Sequence, residues 1–237
     1  MTGSKLAGVF LVMSLVISGS SQPTARRAAI LAIGKPVALE LLLRWPREGG
    51  FVPAAEFIPL AEEAGLIPEL DLYVLRQVGA LPDAGACYHV NLSPKTLLDP
   101  RLLEVARGLQ GRRLRMELTE YALAQPGSEE VLLALKRMGF GLALDDFGQG
   151  YASLKTLASH PFSVVKVDRA FTRGIGREPR AEAVLRSVVG LAQELGLLLV
   201  AEGVEREEER AWLLRAGYRL GQGYLLGRPA PFWPSGV

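Results

Sequence analysis

The chain has 237 residues, of which 49% are hydrophobic and 22% charged, a composition typical of a folded, soluble protein rather than a disordered one. Its 27 basic and 25 acidic residues give a net charge of +2, so the overall charge predicts no nucleic-acid polymer as a partner. The single cysteine, Cys87, excludes an internal disulfide framework and a cysteine metal cluster, which favours a reduced, cytoplasmic setting.

The N-terminal segment allows three interpretations. Lys5 precedes an apolar run at residues 7–17, which is followed by four small residues at 18–21. A buried first strand, a targeting segment and a poorly ordered tail all fit this layout, and the run is too short for an ordinary membrane-spanning helix. We therefore assign residues 1–23 to an N-terminal strand or tail with a candidate targeting role, and residues 24–237 to one domain. No membrane partner is expected beyond this segment.

Segments with helical periodicity alternate with short apolar runs along the rest of the chain. In chain order, helices are predicted at 54–64, 69–81, 101–109, 128–139, 180–196 and 206–217. Short strands that alternate with helices of about 10–15 residues indicate repeated βαβ units and a parallel sheet.

Seven apolar runs end in a polar residue suited to binding metal or phosphate. These residues are Glu40, Asn91, Glu117, the pair Asp145–Asp146, Lys166, Glu202 and Gln222. Burial alone explains the apolar runs, but it does not explain the polar residue at the end of each one. Parallel strands that present such groups at their carboxyl ends build a common site, as at the top of a TIM barrel.

Side-chain alternation along a strand places Glu40, Leu42 and Arg44 on one face. The carboxylate and the guanidinium can bind a metal and a phosphate, or they can form a structural ion pair. The same alternation pairs His89 with Asn91, Glu117 with Thr119, and Lys166 with Asp168.

Asp145 and Asp146 are adjacent carboxylates, which repel each other unless cations neutralise them. Because the backbone turns at the end of a strand, both side chains can reach ions, and Gly148 and Gly150 supply a flexible turn after them. The alternative is a solvated pair in a loop.

The candidate ligands are carboxylates and an amide oxygen, a set that suits Mg²⁺ or Mn²⁺ and disfavours zinc. The two histidines, His89 and His160, give a Ser-His-Asp hydrolase almost no support, and His89 is interpreted as hydrogen-bonded scaffolding. No phosphate-binding loop or dinucleotide motif is present in the sequence. The arginines at 112, 113 and 115 and the acidic stretch 205–210 are interpreted as solvent-facing.

With these residues in place, the chain resembles the EAL-domain family, phosphodiesterases that cleave cyclic di-GMP. The resemblance covers residues 36–231, and the name-giving motif is Glu40-Leu41-Leu42, with Leu41 in place of Ala. The further matching segments are AAEFIPLAEEAGLI, VNLSP, MELTE, LDDFGQGYASL, VKVDRAF, VAEGVE and GQGYLLGRP.

The resemblance implies a (β/α)8 TIM-like barrel of the α/β class, with a first strand that is antiparallel and, here, atypical. It implies two ions, Mg²⁺ or Mn²⁺, held by Glu40, Asn91, Glu117, Asp145, Asp146 and Glu202. It makes Lys166 a catalytic residue together with Asp146 and Glu202. It implies substrate contacts from Gln22, Leu42, Arg44, Asp168, Glu205 and Gln222. Glu120 resembles the glutamate that holds the DDFG loop in place.

The expected activity is hydrolysis of cyclic di-GMP to linear pGpG, and the alternative is a receptor or scaffold that binds this nucleotide without cleaving it. Two departures from the family stand out. Gln22 lies 18 residues before Glu40, several residues too far, and the segment TARRAAILAIGK lacks the usual hydrophobic register. Leu41 is expected to face away from the metals and to require only a packing adjustment. The helix YASLKTLAS is a candidate homodimer contact by resemblance alone.

Overall fold

The computed structural model describes residues 24–48, 50–81, 87–149 and 154–231. Gln22, and with it the whole segment 1–23, lies outside the described residues. The assignment of that segment to a strand, a targeting segment or a tail therefore stays a prediction.

Eleven strands occur in the part of the chain that the structure describes. They are β1 (Thr24–Ile30), β2 (Pro36–Leu42), β3 (Trp45–Arg47), β4 (Gly50–Val52), β5 (Cys87–Asn91), β6 (Leu114–Leu118), β7 (Gly141–Phe147), β8 (Val164–Val167), β9 (Leu198–Ala201), β10 (Leu220–Gln222) and β11 (Ala230–Pro231). All except β3 and β4, which form a small hairpin sheet, belong to one sheet.

The large sheet closes on itself. Parallel pairings run in order from β2 through β5, β6, β7, β8 and β9 to β10. Strand β1 runs antiparallel to both β2 and β10 and so joins the two ends, with Ala28 opposite Gln222 on one side and Ala38 on the other. The predicted eight-stranded barrel with an antiparallel first strand is confirmed.

The first barrel strand is the segment that lacks the usual hydrophobic register. Residues Thr24–Ile30 fill the position between β2 and β10. A strand with a paired neighbour on each side has its backbone groups satisfied by the barrel itself. Closure of the ring can therefore recruit a segment whose own apolar pattern is weak.

Helices follow most of the strands. They are α1 (Ala54–Glu63), α2 (Ile67–Ala80), α3 (Pro94–Leu97), α4 (Arg101–Arg107), α5 (Glu120–Leu123), α6 (Ser128–Arg137), α7 (Leu154–Ser159), α8 (Arg169–Arg173), α9 (Pro179–Glu194) and α10 (Glu207–Ala216). The six predicted helices correspond to α1, α2, α4, α6, α9 and α10. Helix α2 begins earlier than predicted because Pro68 fits the first helical turn. No helix among the described residues is both long enough and apolar enough to cross a membrane.

The main core lies between the barrel wall and the helices. Leu41 is buried there beside Val90, its partner across β2 and β5, so it faces away from the barrel axis as expected. The inside of the barrel holds a smaller apolar cluster of Ala143, Val164 and Val200, with Leu220 packed against it. The inner faces of the same strands carry polar side chains toward the carboxyl end, and those side chains form the site described next.

Candidate active site

The centre of the site is the Lys166 side chain, which is 2% exposed at the end of β8. Its ammonium Nζ lies 2.8 Å from Glu117 Oε2, and this contact is a hydrogen bond. The same Nζ lies 3.0 Å from Asp145 Oδ1, 3.0 Å from Glu202 Oε1 and 3.8 Å from Glu40 Oε2. One buried cation thus joins carboxylates from four different strands or strand ends.

Amide side chains orient Glu40. Asn91 donates from Nδ2 to Glu40 Oε1 at 2.9 Å, and Gln222 donates from Nε2 to the other oxygen, Oε2. Asn91 lies on the neighbouring strand β5, whereas Gln222 reaches Glu40 from β10, across the antiparallel strand β1. Both oxygens of this buried carboxylate are therefore held before any ligand binds.

Glu117 is fixed from the opposite side by His89. The His89 Nδ1 atom lies 2.6 Å from Glu117 Oε1, and the His89 Nε2 atom lies 3.1 Å from Arg115 Nη1. A guanidinium can only donate, so Nε2 accepts and the ring proton is assigned to Nδ1, which donates to Glu117. His89 is the hydrogen-bonded scaffold that the sequence predicted.

The aspartate pair lies at an irregular point of β7. The pairing of β7 with β8 shifts register between Leu144 and Phe147, and Asp146 has a φ of 54°, the one positive φ among the described non-glycine residues. This bulge lets both carboxylates face the site, as the turn was predicted to do. Ligand oxygens of Asp145, Asp146 and Glu202 all lie within 4.8 Å of one another, a group that can hold a metal ion.

Gly148 permits the turn that follows the aspartate pair. Its φ is +102°, and a Cβ at this position would lie 2.4 Å from Phe171 Cε2. The loop backbone therefore packs directly on α8, which only glycine allows.

Burial and neighbouring charges shift the pKa values of the carboxyl groups in this cluster in opposite directions. Burial raises the pKa of Glu117, but Lys166 and His89 outweigh this effect and lower the pKa to about 2. Burial raises the pKa of Asp145 to about 8, and the neighbouring carboxylates Glu117, Glu202 and Glu40 add to the rise, although Lys166 opposes it. Burial likewise raises the pKa values of Asp146 and Glu202.

Lys166 remains charged in this environment. Burial lowers its pKa, but the four surrounding carboxylates raise the pKa more strongly, to well above the ordinary value. Four carboxyl groups, those of Glu40, Glu117, Asp145 and Glu202, lie within 3.8 Å of this one ammonium, and the Asp146 carboxyl lies beside those of Asp145 and Glu202. A site with this excess of acidic oxygens fits divalent cations.

Asp168 is buried at the start of α8. Its Oδ1 accepts a 2.8 Å hydrogen bond from the Ala170 backbone N–H, and its Oδ2 accepts one of 2.7 Å from Gln149 Nε2. Gln149 also donates to Asp146 Oδ1 at 3.3 Å. The link between the aspartate loop and Asp168 through Gln149 was missed in the sequence, although Gln149 lies within the matching segment.

The remaining predicted residues lie around the rim. Leu42 and Arg44 are half-buried beyond Glu40 at the carboxyl end of β2, and Arg44 Nη1 donates to the Leu43 carbonyl at 2.9 Å. Glu205 is exposed and forms an ion pair of 3.5 Å with Arg173. Glu120 is the first residue of α5, directly after the strand end that carries Glu117.

Two carboxylates that shape the surroundings of the site, the buried Glu209 and the half-buried Asp71, were also missed. Glu209 accepts hydrogen bonds from the backbone N–H groups of Glu205 and Arg206, so the interpretation of residues 205–210 as solvent-facing is wrong at this position. The glutamate at the third position of α10 was the available signal for such a capping box. Asp71 accepts hydrogen bonds from Ser93 N and Thr96 Oγ1 and so orders the turn after Asn91. No local pattern marks Asp71, because its partners belong to another element.

The fold and the site define an α/β barrel whose carboxyl end holds a lysine-centred cluster of acidic residues. The family model of the EAL domain matches residues 29–229, which is most of the chain. The chain therefore belongs to the EAL-domain family.

The curated relatives extend well beyond the segment that matches this chain. The cyclic di-GMP phosphodiesterase RocR of Pseudomonas aeruginosa is 38% identical over 213 residues, which cover 84% of this chain and 54% of RocR. The cyclic di-GMP phosphodiesterase PdeR of Escherichia coli K12 is 35% identical over 215 residues, covering 84% of this chain and 32% of PdeR. Among solved structures, the PaMucR phosphodiesterase in its c-di-GMP complex superimposes with a TM-score of 0.87 at 30% identity, covering 95% of this chain and 98% of that one. The chain thus spans between about a third and about half of the two curated relatives.

Proposed function

We propose that this chain hydrolyses one phosphodiester bond of cyclic di-GMP and releases linear pGpG. The observation that carries the proposal is the Lys166 ammonium, held within 3.0 Å of Glu117, Asp145 and Glu202 beside the Asp145–Asp146–Glu202 group. The relatives named as cyclic di-GMP phosphodiesterases and the complex of PaMucR with c-di-GMP support the choice of substrate.

Two ions, Mg²⁺ or Mn²⁺, are proposed as cofactors. Glu40, Asn91, Glu117 and Asp145 would hold the first ion, and Asp145, Asp146 and Glu202 the second. The donor chemistry supports this division, since each group offers oxygen ligands and Asp145 belongs to both. When bound, such a pair of ions lowers the pKa of a shared water and stabilises charge on the attacked phosphate.

The protein's own residues orient the reaction. Lys166 is proposed to position the attacking water and to stabilise the negative charge that develops on the phosphate oxygens. Because Glu117, Asp145 and Glu202 already fix its ammonium, little reorganisation is needed as the charge develops. Gln222 and Asn91 keep Glu40 in the orientation required of a ligand.

The rim residues are proposed to bind the nucleotide. Arg44 would donate to a phosphate oxygen and Leu42 would pack against a guanine, because both follow Glu40 at the carboxyl end of β2. Asp168, Glu205 and Gln222 are proposed to contact the substrate, and Gln22 remains a prediction outside the described residues. Glu120 is proposed to support the loop after Asp146.

A direct assay tests the activity. The purified chain is incubated with cyclic di-GMP and either Mg²⁺ or Mn²⁺, and linear pGpG is followed by chromatography, with an EDTA-treated sample as the control. We expect metal-dependent formation of pGpG and none in EDTA. Binding of cyclic di-GMP without turnover in either metal would favour the receptor or scaffold, and the absence of both binding and turnover would contradict the two functions together.

Metal binding is expected to strengthen as the pH rises towards about 8. The folded-state pKa of Asp145 is about 8 against an ordinary value of 3.8, so the metal-free protein loses stability as the pH rises between these values. Glu117 does not add to this pH dependence of stability in the upper part of the pH range, because its pKa is only about 2 and it is already ionised there. An ion that binds Asp145 displaces its proton, so the association constant should rise by about tenfold per pH unit below pH 8. Calorimetry of Mn²⁺ binding in two buffers of different ionisation enthalpy measures the released proton, and an affinity that does not change with pH would contradict the assignment.

A cytoplasmic location and a homodimer remain proposals. The single cysteine supports a reducing compartment. Leu157 of α7, the helix proposed as a dimer contact, is buried in this chain's own core, so this residue does not supply an apolar dimer surface.

A further inference from the structure

A second cavity lies at the opposite, amino-terminal end of the barrel. Its volume is about 950 Å³, within the range that small-molecule sites occupy. The first residues of several parallel strands line it, among them Cys87, Leu114 and Gly141. Val164, Val200 and Leu220, which belong to the apolar cluster inside the barrel, separate it from the carboxylates at the other end.

The wall of this amino-terminal cavity is strongly basic. Five basic residues line it: Arg112, Arg113, Arg115, Lys136 and Arg219. None of the described residues that line it is an aspartate or a glutamate. Charges of one sign around an apolar concavity focus the field and attract ligands of the opposite sign.

Arg115 lines this cavity from a strand of the barrel wall. It was interpreted as solvent-facing, and this was wrong: it is half-buried on the inner face of β6, two residues before Glu117, as strand alternation requires. Arg112 is also half-buried and donates to backbone carbonyls at the end of α2, including Val78 O at 3.0 Å, while Arg113 is exposed as expected.

Among the described residues, no carboxylate pairs with the positive charge of the Arg115 guanidinium. Its Nη1 contacts the His89 ring, which carries no negative charge, and its Nε is buried without a hydrogen bond. Gly141 lies opposite Arg115 in the β6–β7 pairing, and a Cβ there would approach Arg115 Nε to 3.0 Å. The glycine thus provides room for a cation at a position where no described carboxylate neutralises it.

Cys87 lines the same cavity, close to His89 and Arg115. Burial raises the pKa of its thiol, but His89, Arg115 and Arg113 stabilise the thiolate more strongly, so the pKa lies below its ordinary value. A site that favours a thiolate also favours other anions.

We propose that this amino-terminal cavity is a binding site for a small oxyanion, of the size of a nucleotide or smaller, that is separate from the carboxylate cluster. Arg115 supplies the buried positive charge, and the arginines and lysine at the mouth attract the ligand. The proposal does not depend on the reaction at the carboxyl end, where the excess of carboxylates repels free anions.

The test uses Cys87 as a reporter, since it is the one cysteine of the chain and lines the cavity. Alkylation by iodoacetamide is followed by intact mass in EDTA, with pyrophosphate or citrate added and sodium chloride at matched ionic strength as the control. Pyrophosphate is expected to slow alkylation by about tenfold at saturation, by covering the thiol and by raising its pKa. Comparison of the samples with pyrophosphate and with citrate shows whether the site prefers a phosphate or a carboxylate ligand. Protection of the thiol by either anion supports the site.

Variants locate the protecting anion. Arg115→Met is expected to raise the half-protecting concentration by about tenfold or more, whereas Arg44→Met, the same substitution at the carboxyl end, leaves it unchanged. If Arg115→Met does not fold, the exposed Arg219→Gln is decisive, with an expected loss of about threefold. Calorimetry of the same titration gives a readout that does not depend on thiol reactivity. The absence of any binding, or equal binding by the wild type and the cavity variants, would overturn the proposal.

Discussion

Asp145→Asn is expected to lower kcat for cyclic di-GMP by about 10³-fold or more at saturating Mg²⁺ or Mn²⁺. Asp145 is the carboxylate proposed to bridge both ions, and its oxygens lie close to Asp146, Glu202 and the Lys166 ammonium. An amide at this position retains the shape of the side chain but carries no charge to bridge two cations. The measurement is the rate of pGpG formation at several metal concentrations.

The same variant has a second expected signature, which separates loss of chemistry from loss of fold. Burial and three neighbouring carboxylates raise the pKa of Asp145 to about 8, so its ionised form is disfavoured in the folded metal-free protein. Replacement by a neutral amide removes this repulsion, and in EDTA above pH 8 the variant should unfold at a higher temperature than the wild type. Asp99→Asn, just before α4, where the side chain accepts from the Arg101 backbone N–H, is the matched control and should retain near-normal turnover. Near-normal turnover by Asp145→Asn would contradict its role as a ligand.

Lys166→Met is expected to lower kcat by about 10²- to 10³-fold and to destabilise the metal-free protein by about 3–5 kcal/mol. The methionine fills a similar volume but leaves Glu117, Asp145, Glu202 and Glu40 without their shared cation. Divalent cations should recover much of the lost stability, because they supply positive charge to the same carboxylates. They should not recover the rate if Lys166 acts on the developing charge of the phosphate.

Thermal unfolding with and without Mn²⁺, together with the turnover rate, distinguishes these effects. Lys95→Met, a substitution of an exposed lysine after β5, is the control for loss of a positive charge. If Lys166→Met retained the wild-type rate in saturating metal, Lys166 would be a structural cation and the proposed catalytic role would be wrong.

Local sequence patterns predicted most of the architecture. The periodicity of apolar residues changes between strands and helices, and this period depends only on backbone geometry. The six longest of the described helices were therefore predicted closely, as was the position of Glu40, Glu117 and Lys166 on the inner faces of their strands. Strand alternation could also have placed Arg115. Because it lies two residues before Glu117 on β6, its side chain is on the inner face of the barrel, although it was interpreted from the sequence as solvent-facing.

Other features of the site were not predictable from local pattern. Gln222 and Glu40 are 182 residues apart in the sequence, and they meet because β1 closes the barrel between them. Asp71 and Glu209 act through backbone groups that lie on other elements or in the preceding loop. A residue's partners across the fold leave no trace in its own neighbourhood of the chain.

The sequence by itself determined the alternation of strands and helices, the polar residue at the end of each parallel strand and the resemblance to the EAL domain. These properties follow from side-chain chemistry and from the two backbone periods. Only the tertiary structure decided that Thr24–Ile30 is the closing strand and that the Lys166 ammonium lies among four carboxylates. It also decided that Arg115 lines a basic cavity, where Gly141 leaves room for its side chain. The physical reason is that closure of the barrel fixes distances between residues that are far apart in the chain, and both pairing and pKa depend on those distances.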